Sequence, residues 1–222
     1  MNNLFSFLEH SNLSPTITAP QVEKMVGETK AHRFAGLCLP PFWVKKARRE
    51  LGNADVPLLT VVGHPCGYQM TQTKVAEMQQ ALRDGATELQ VALNLSAFKS
   101  DMPWVKIEVA KCATLAHEHE ALLTMVLDAS ALNESEVAEL ATVCADAGAD
   151  GVQLAAASIS WDATLAPVRV LRSTLPALVA VKVRREVDRP QAEALVEAGA
   201  DRIATANAVH LLSDENYGGS CA

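Results

Sequence analysis

The sequence predicts an α/β fold: a TIM (β/α)8 barrel forming a single domain over residues 1–212, followed by a polar tail at 213–222. Three observations carry that expectation. Short apolar runs alternate with helical patterns, which calls for a parallel sheet. The connections are short, and about eight such units in a chain of 222 residues fit a closed barrel better than the runner-up, an open doubly wound sheet. A Gly-Ala turn also recurs three times, at Gly85-Ala86, Gly148-Ala149 and Gly199-Ala200, each time between an Ala-rich helical run and an apolar run.

In chain order, Leu4–Leu8 is a short apolar segment leading into Glu9-His10-Ser11. Thr18 and Gln21 form a capping-box signal for a helix running to about His32. A strand from Phe34 to Leu39 stops at Pro40-Pro41, and Phe42–Leu51 reads as the next helix. Pro57–Val62 is a buried strand ending in Gly63-His64-Pro65-Cys66-Gly67, and Thr71–Arg83 carries a helical stripe of Met, Val and Ala. Strand Glu88–Leu93, helix Pro103–His119 and strand Ala121–Leu127 follow, the last ending at Asp128. Asn133 and Glu136 cap a helix to Ala147, ahead of strand Val152–Ala156 and helix Asp162–Ser173. Leu178–Val183 is a strand containing Lys182, Asp188, Pro190 and Gln191 open a further helix, and Arg202–Ala206 is the last strand.

Each repeated glycine suits the left-handed cap of a helix, where a Cβ is penalised. Five residues later stand Gln90, Gln153 and Ala204, which are expected to point into the barrel from strands four, six and eight. Alternate strands share layers in such a barrel, so these three positions are expected at similar depth. A barrel places its site at the C-terminal ends of its strands. The candidates there are His10, Cys38, His64, Cys66, Gln90, Asn94, Asp128, Gln153, Lys182, Arg184 and Thr205.

Composition narrows the partners. A net charge of −7 disfavours nucleic acid and anionic membranes, while leaving room for a local basic pocket. The five cysteines are widely spaced with no CxxC, as expected of reduced thiols in a cytoplasmic protein. The start of the chain has no basic segment followed by an apolar core, so no signal peptide is expected, and no apolar run reaches the ~18 residues of a membrane span.

Lys182 is the sharpest chemical feature, a lysine inside the apolar run Leu178–Val183. Pointing inward, it is desolvated, its pKa falls, and it becomes a nucleophile for carbonyls; pointing outward, it snorkels to water. Asp128 is either an acid or base at its strand end or the cap of Asp128-Ala129-Ser130. His64 reads as an acid or base or as a satisfied loop histidine, and its spacing to Cys66 supplies no third or fourth metal ligand. His117 and His119 do not face one another on a helix, and Lys45-Lys46 with Arg48-Arg49 read as a solvated face. Arg184 and Arg185 could hold a carboxylate or phosphate at the barrel mouth or form structural salt bridges. No cofactor and no metal are called for.

Taken together, these segments resemble deoxyribose-phosphate aldolase from about Leu8 to Leu212. Leu8-Glu9-His10-Ser11-Asn12-Leu13 is similar to the family's opening Asp-His-Thr-Leu-Leu, and Gly36–Pro41 to its Val-Cys-Val-Asn-Pro strand. Val61–Gly67 is similar to Ile-Gly-Phe-Pro-Leu-Gly, Gly85–Asn94 to Gly-Ala-Asp-Glu-Ile-Asp-Met-Val-Ile-Asn, and Gly148–Gln153 to Gly-Ala-Asp-Phe-Val-Lys. Val181-Lys182 and Gly199–Ala206 resemble the last two strands.

The resemblance implies a class I aldolase that splits 2-deoxyribose 5-phosphate through a lysine Schiff base, on a barrel that forms a homodimer. It also implies where this chain departs. The Schiff-base lysine falls on Gln153, the catalytic aspartate of strand four on Gln90, and the phosphate-binding Gly-Gly on Arg185-Glu186. The second lysine is kept as Lys182, and the first-strand aspartate becomes Glu9. Glutamine forms no imine, and Glu186 would repel a phosphate. Two functions stay open. One is an aldolase-like barrel without the standard activity, with Gln90, Asn94 and Gln153 forming a neutral pocket for a carbonyl or sugar ligand. The other is a carbon–carbon lyase using Lys182. Tyr217 in the Gly-rich tail is either a tyrosine reaching the site, as some members of the family have, or part of a disordered tail.

Overall fold

Side-chain alternation along the strands sorts residues into two shells, and that sorting builds the fold. The computed structural model describes residues 4–100 and 103–213; most of the predicted tail, with Tyr217, lies outside the described residues. Eight parallel strands are β1 (Leu8–Ser11), β2 (Gly36–Leu39), β3 (Leu58–Val62), β4 (Glu88–Ala92), β5 (Leu122–Asp128), β6 (Gly151–Ala155), β7 (Ala180–Arg184) and β8 (Arg202–Thr205). They hydrogen-bond in sequence order and close, with Leu8 of β1 in register with Ile203 of β8. The fold is therefore the expected (β/α)8 barrel.

The helices between the strands are α1 (Ala19–His32), α2 (Val44–Leu51), α3 (Thr71–Arg83), α4 (Leu95–Ser100), α5 (Pro103–Glu118), α6 (Glu134–Asp146), α7 (Leu165–Thr174) and α8 (Arg189–Glu197), with a short α9 (His210–Ser213) after β8. Outward strand residues such as Leu37, Leu89, Leu123, Met125, Val152, Leu154, Val181, Val183 and Ile203 pack with helix residues such as Val22, Met78, Val109, Leu140 and Val168 into one apolar cluster. Burying each such side chain contributes about 1.5–3 kcal/mol. Three helix starts carry capping pairs read from the sequence. The Thr18 N–H donates to Gln21 Oε1 at 2.8 Å, the Asn133 and Glu136 pair exchange bonds at 3.0 Å, and the Gln191 N–H donates to Asp188 Oδ1 at 2.9 Å.

The three Gly-Ala turns do what their chemistry asks. Gly85, Gly148 and Gly199 hold φ of 99°, 94° and 104°, the left-handed region that L side chains rarely adopt. At Gly199 the surroundings add a second constraint, because a Cβ would meet Arg172 Cγ at 2.5 Å.

Most element boundaries shift by a few residues from the sequence expectation, and two departures bear on the site. Leu178 is 96% exposed and precedes β7, whose pairing with β6 begins at Ala180 opposite Gly151. The segment after β4 was not expected to be helical, yet it forms α4, started by Asn94, whose Oδ1 accepts from the Ala97 N–H at 3.0 Å. Below it, the fully buried Lys74 of α3 donates to Glu108 of α5 at 2.7 Å and to the carbonyl of Ala92 at 2.8 Å, fixing the end of β4.

Candidate functional site

The inward shell is polar where most barrels are filled by branched apolar residues. On β6, Val152 and Leu154 join the apolar cluster, so Gly151, Gln153 and Ala155 face the interior. The same alternation turns Glu9, Cys38, Glu88, Gln90, Thr124, Lys182, Arg184 and Ala204 inward. Gln90, Gln153 and Ala204 are buried, and Lys182 stands in register with Gln153 on the neighbouring strand. All three repeat positions thus face the barrel interior.

One continuous network fills the interior. The Arg184 guanidinium donates to Gln90 Oε1 and to Cys38 Sγ, the latter at 3.5 Å. The Gln90 amide then donates to Glu9 Oε2 at 3.1 Å. The Lys182 ammonium donates to Glu9 Oε1 at 2.8 Å and to Glu88, which also accepts from the Thr124 hydroxyl at 2.7 Å. A buried ammonium is tolerable here because two carboxylates surround it. Burial alone would pull the Lys182 pKa down, but the charges and hydrogen bonds of Glu9 and Glu88 outweigh it and hold it above the ordinary lysine value. The sequence expectation of an inward lysine is met. Burial acts on its pKa in the expected direction, but the expected net lowering is reversed by the two carboxylates. Burial pushes the Glu88 carboxyl up, against the pull of Lys182.

The interior opens at both ends. A cavity of about 440 Å3 at the C-terminal mouth is lined by His64, Cys66, Asp128, Ala155, Ser158 and Arg184. A larger one of about 610 Å3 opens at the N-terminal end, where the residues that precede or begin the strands line it, together with Glu9, Glu88 and Lys182. Lys182 thus lines the lower cavity and not the mouth, and Gln90 links its partner Glu9 to Arg184, which lines the mouth.

The remaining candidates separate clearly. His64, Asp128 and Arg184 come together at the mouth with Cys66. Burial and the charge of Arg184 lower the His64 pKa. Asp128 also caps the turn after β5, accepting from the Ser130 N–H at 2.9 Å and its hydroxyl at 2.7 Å. Cys38 is buried beside Gln90, and burial raises its pKa despite Arg184. Gln153 is fully buried, and both polar atoms of its amide lack a partner among the described residues. His10, Asn94 and Thr205 are not brought to the mouth cavity. The parity of β1 turns His10 outward against Phe34 and Glu28, the latter at 3.2 Å. Asn94 spends its oxygen on α4, and the Thr205 hydroxyl donates to Glu186 at 2.8 Å.

Glu88 and Thr124 escaped the sequence reading. The signal was available for Glu88: it lies two residues before Gln90 in the same strand and must share its face.

Comparison with known proteins agrees with this architecture. Residues 7–174 match a family model described as DeoC/LacD family aldolase. The chain is 33% identical over 220 residues to the deoxyribose-phosphate aldolase of Brevibacillus brevis, covering 98% of this chain and 99% of that protein. It is 32% identical over 214 residues to that of Thermococcus gammatolerans, covering 95% of each. Among solved structures, an aldolase called QR15 superposes with a TM-score of 0.89 at 28% identity, over 98% of this chain and 97% of that one. The tetrameric deoxyribose phosphate aldolase of Aeropyrum pernix gives 0.87 at 28% identity, over 96% and 91%. Strand order, the repeated turns and these likenesses along nearly the whole chain lead to one assignment: the chain belongs to the DeoC/LacD aldolase family.

Proposed function

We propose that this barrel does not perform the imine-forming aldolase reaction of its relatives, and that it binds a small carbonyl or sugar compound without a covalent bond. The observation that carries this reading is the pairing of Lys182. A lysine attacks a carbonyl as the neutral amine. Lys182 is held as an ammonium between Glu9 and Glu88, and it lines the cavity at the end opposite the mouth. Its neighbour in register, where the resemblance places the imine lysine, is Gln153, which has no amine to offer.

The same residues support non-covalent binding. An unpaired buried amide costs about 1–3 kcal/mol unless something bonds to it. Gln153 lies on the face of β6 that Ala155 continues into the mouth cavity. A hydroxyl or carbonyl reaching below Ala155 would meet both a donor and an acceptor there. His64, Asp128 and Arg184 supply further polar contacts at the rim. By likeness to the tetrameric Aeropyrum pernix relative, the chain is also proposed to self-associate, which analytical ultracentrifugation reads directly.

A second reading keeps carbon–carbon lyase activity with Lys182 as the imine lysine, and the inward, buried position of that residue favours it. Borohydride trapping with a panel of small aldehydes, read by intact mass, separates the two. The expected result is no adduct with any aldehyde and no cleavage of 2-deoxyribose 5-phosphate. A stable adduct that disappears in Lys182→Ala would overturn the non-covalent reading.

A further inference from the structure

The turns that follow β7 and β8 form a corner at the barrel mouth. In barrels of this kind a phosphate frequently sits between these two loops. Here three donors converge on that corner. The Ala206 N–H, the Asn207 N–H and the Thr205 hydroxyl all donate to the carboxylate of Glu186, at 2.9, 3.2 and 2.8 Å. The Asn207 N–H also reaches Thr205 Oγ1 at 3.1 Å. The chain has placed its own anion where a ligand's anion would sit.

The nearby arginines do not offset this. Arg185 donates to the carbonyls of Ala156 and Ile159 at 2.6 and 2.7 Å and to the Thr164 hydroxyl at 3.1 Å, which ties it to the loop after β6. Arg184 reaches inward to Gln90 and Cys38. A phosphate entering the corner would have to displace a carboxylate held by three donors, and charge-assisted bonds of this kind are strong. If the carboxylate swung aside instead, its negative charge would remain close by, and Asp128 adds another at the mouth.

We propose that Glu186 is a specificity-determining residue that occupies the barrel's phosphate corner, so that the ligand of this chain carries no phosphate group. The uncharged Gln153 amide, with a donor and an acceptor to offer, suits hydroxyl or carbonyl oxygens in the same way. The inference holds whether or not an imine forms, so it and the non-covalent reading fail separately.

Amide NMR of the full chain tests it, with inorganic phosphate and 2-deoxyribose 5-phosphate as probes. In the unmodified chain the Ala206 and Asn207 amide signals are expected to stay in place through millimolar additions of either probe. In Glu186→Ala both signals should move, with an apparent Kd lower by about tenfold or more. Glu186→Gln, which keeps an acceptor of the same shape without the charge, provides a second variant should the alanine chain not fold; it should shift in the same direction by less. Movement of the two amides in the unmodified chain, or no gain in a folded variant, overturns the proposal.

Discussion

Lys182 and Gln153 are register partners on adjacent strands of the closed barrel, and they have opposite surroundings. The lysine is held by two carboxylates, while the glutamine beside it has no partner among the described residues. In a buried interior the first arrangement stabilises a charge, and the second leaves a polar group ready for a ligand.

The first prediction concerns that charge. Lys182→Met leaves Glu9 and Glu88 facing each other without their cation, and breaking a buried pair in this way costs about 3–5 kcal/mol. Urea denaturation should show a loss of that size. Adding Glu9→Gln should recover part of it, because the two substitutions share one network and do not add. A loss under about 1 kcal/mol for the single change would show that Lys182 is not the cation that holds the lower interior together.

Gln153→Lys tests the neighbouring position. The new amine would be buried beside the Lys182 ammonium, and both burial and the like charge lower its pKa toward the reactive range. Borohydride trapping with acetaldehyde should then label residue 153, as mapped by peptide mass. Label at Lys182 instead would show that the lysine held between Glu9 and Glu88 is itself a reactive amine.

Acid sensitivity should trace in part to His10. It is buried against Phe34, and that burial lowers its pKa against the opposing pull of Glu28, with Lys24 and His32 lowering it further. The folded chain therefore binds this proton less readily than the unfolded chain. Its contribution to stability is present above the unfolded value, near 6.5, and is lost as pH falls from there through the folded value. The slope from one such group is at most about 1.4 kcal/mol per pH unit. Denaturation midpoints measured between neutral and mildly acid pH should fall less steeply for His10→Gln than for the unmodified chain.

Thiol labelling should discriminate sharply. Burial pushes the thiols of Cys112 and Cys144 up to about 12, and it raises Cys38 as well, whereas Cys66 is exposed at the mouth. Maleimide at neutral pH, followed by peptide mapping, should modify Cys66 and spare Cys38, Cys112 and Cys144. Modification of Cys38 at a comparable rate would mean that the interior opens far more readily than its packing implies.

Much of this molecule could be read before its coordinates, for reasons that differ by residue. The Gly-Ala turns were legible because left-handed backbone restricts the choice of residue so strongly. The inward positions followed from strand parity once those turns set the register, which is why Gln90 and Gln153 could be placed. The fate of Lys182 was not legible, because its partners come from β1 and β4, distant in sequence, and only closure brings them together. His10 turns away from the interior for a smaller reason: it stands one residue off an inward position, and a shift of one residue changes the face. Glu186 was read as repelling a phosphate, but the donors that hold it lie in a turn twenty residues further on and could not be assigned to it.

The pairing of β1 with β8 also governs how the chain can be cut or synthesised. Leu8, Glu9 and His10 find their partners in Ile203, Ala204 and Thr205. A chain ending after β7 but before those residues leaves open edges on β1 and on β7, both inviting association with other chains. During synthesis one edge of the first strand must wait for the last strand to emerge, so the barrel closes late. Fragments that end inside α8 should accordingly aggregate rather than fold as smaller barrels, even though they hold every residue that lines the mouth cavity.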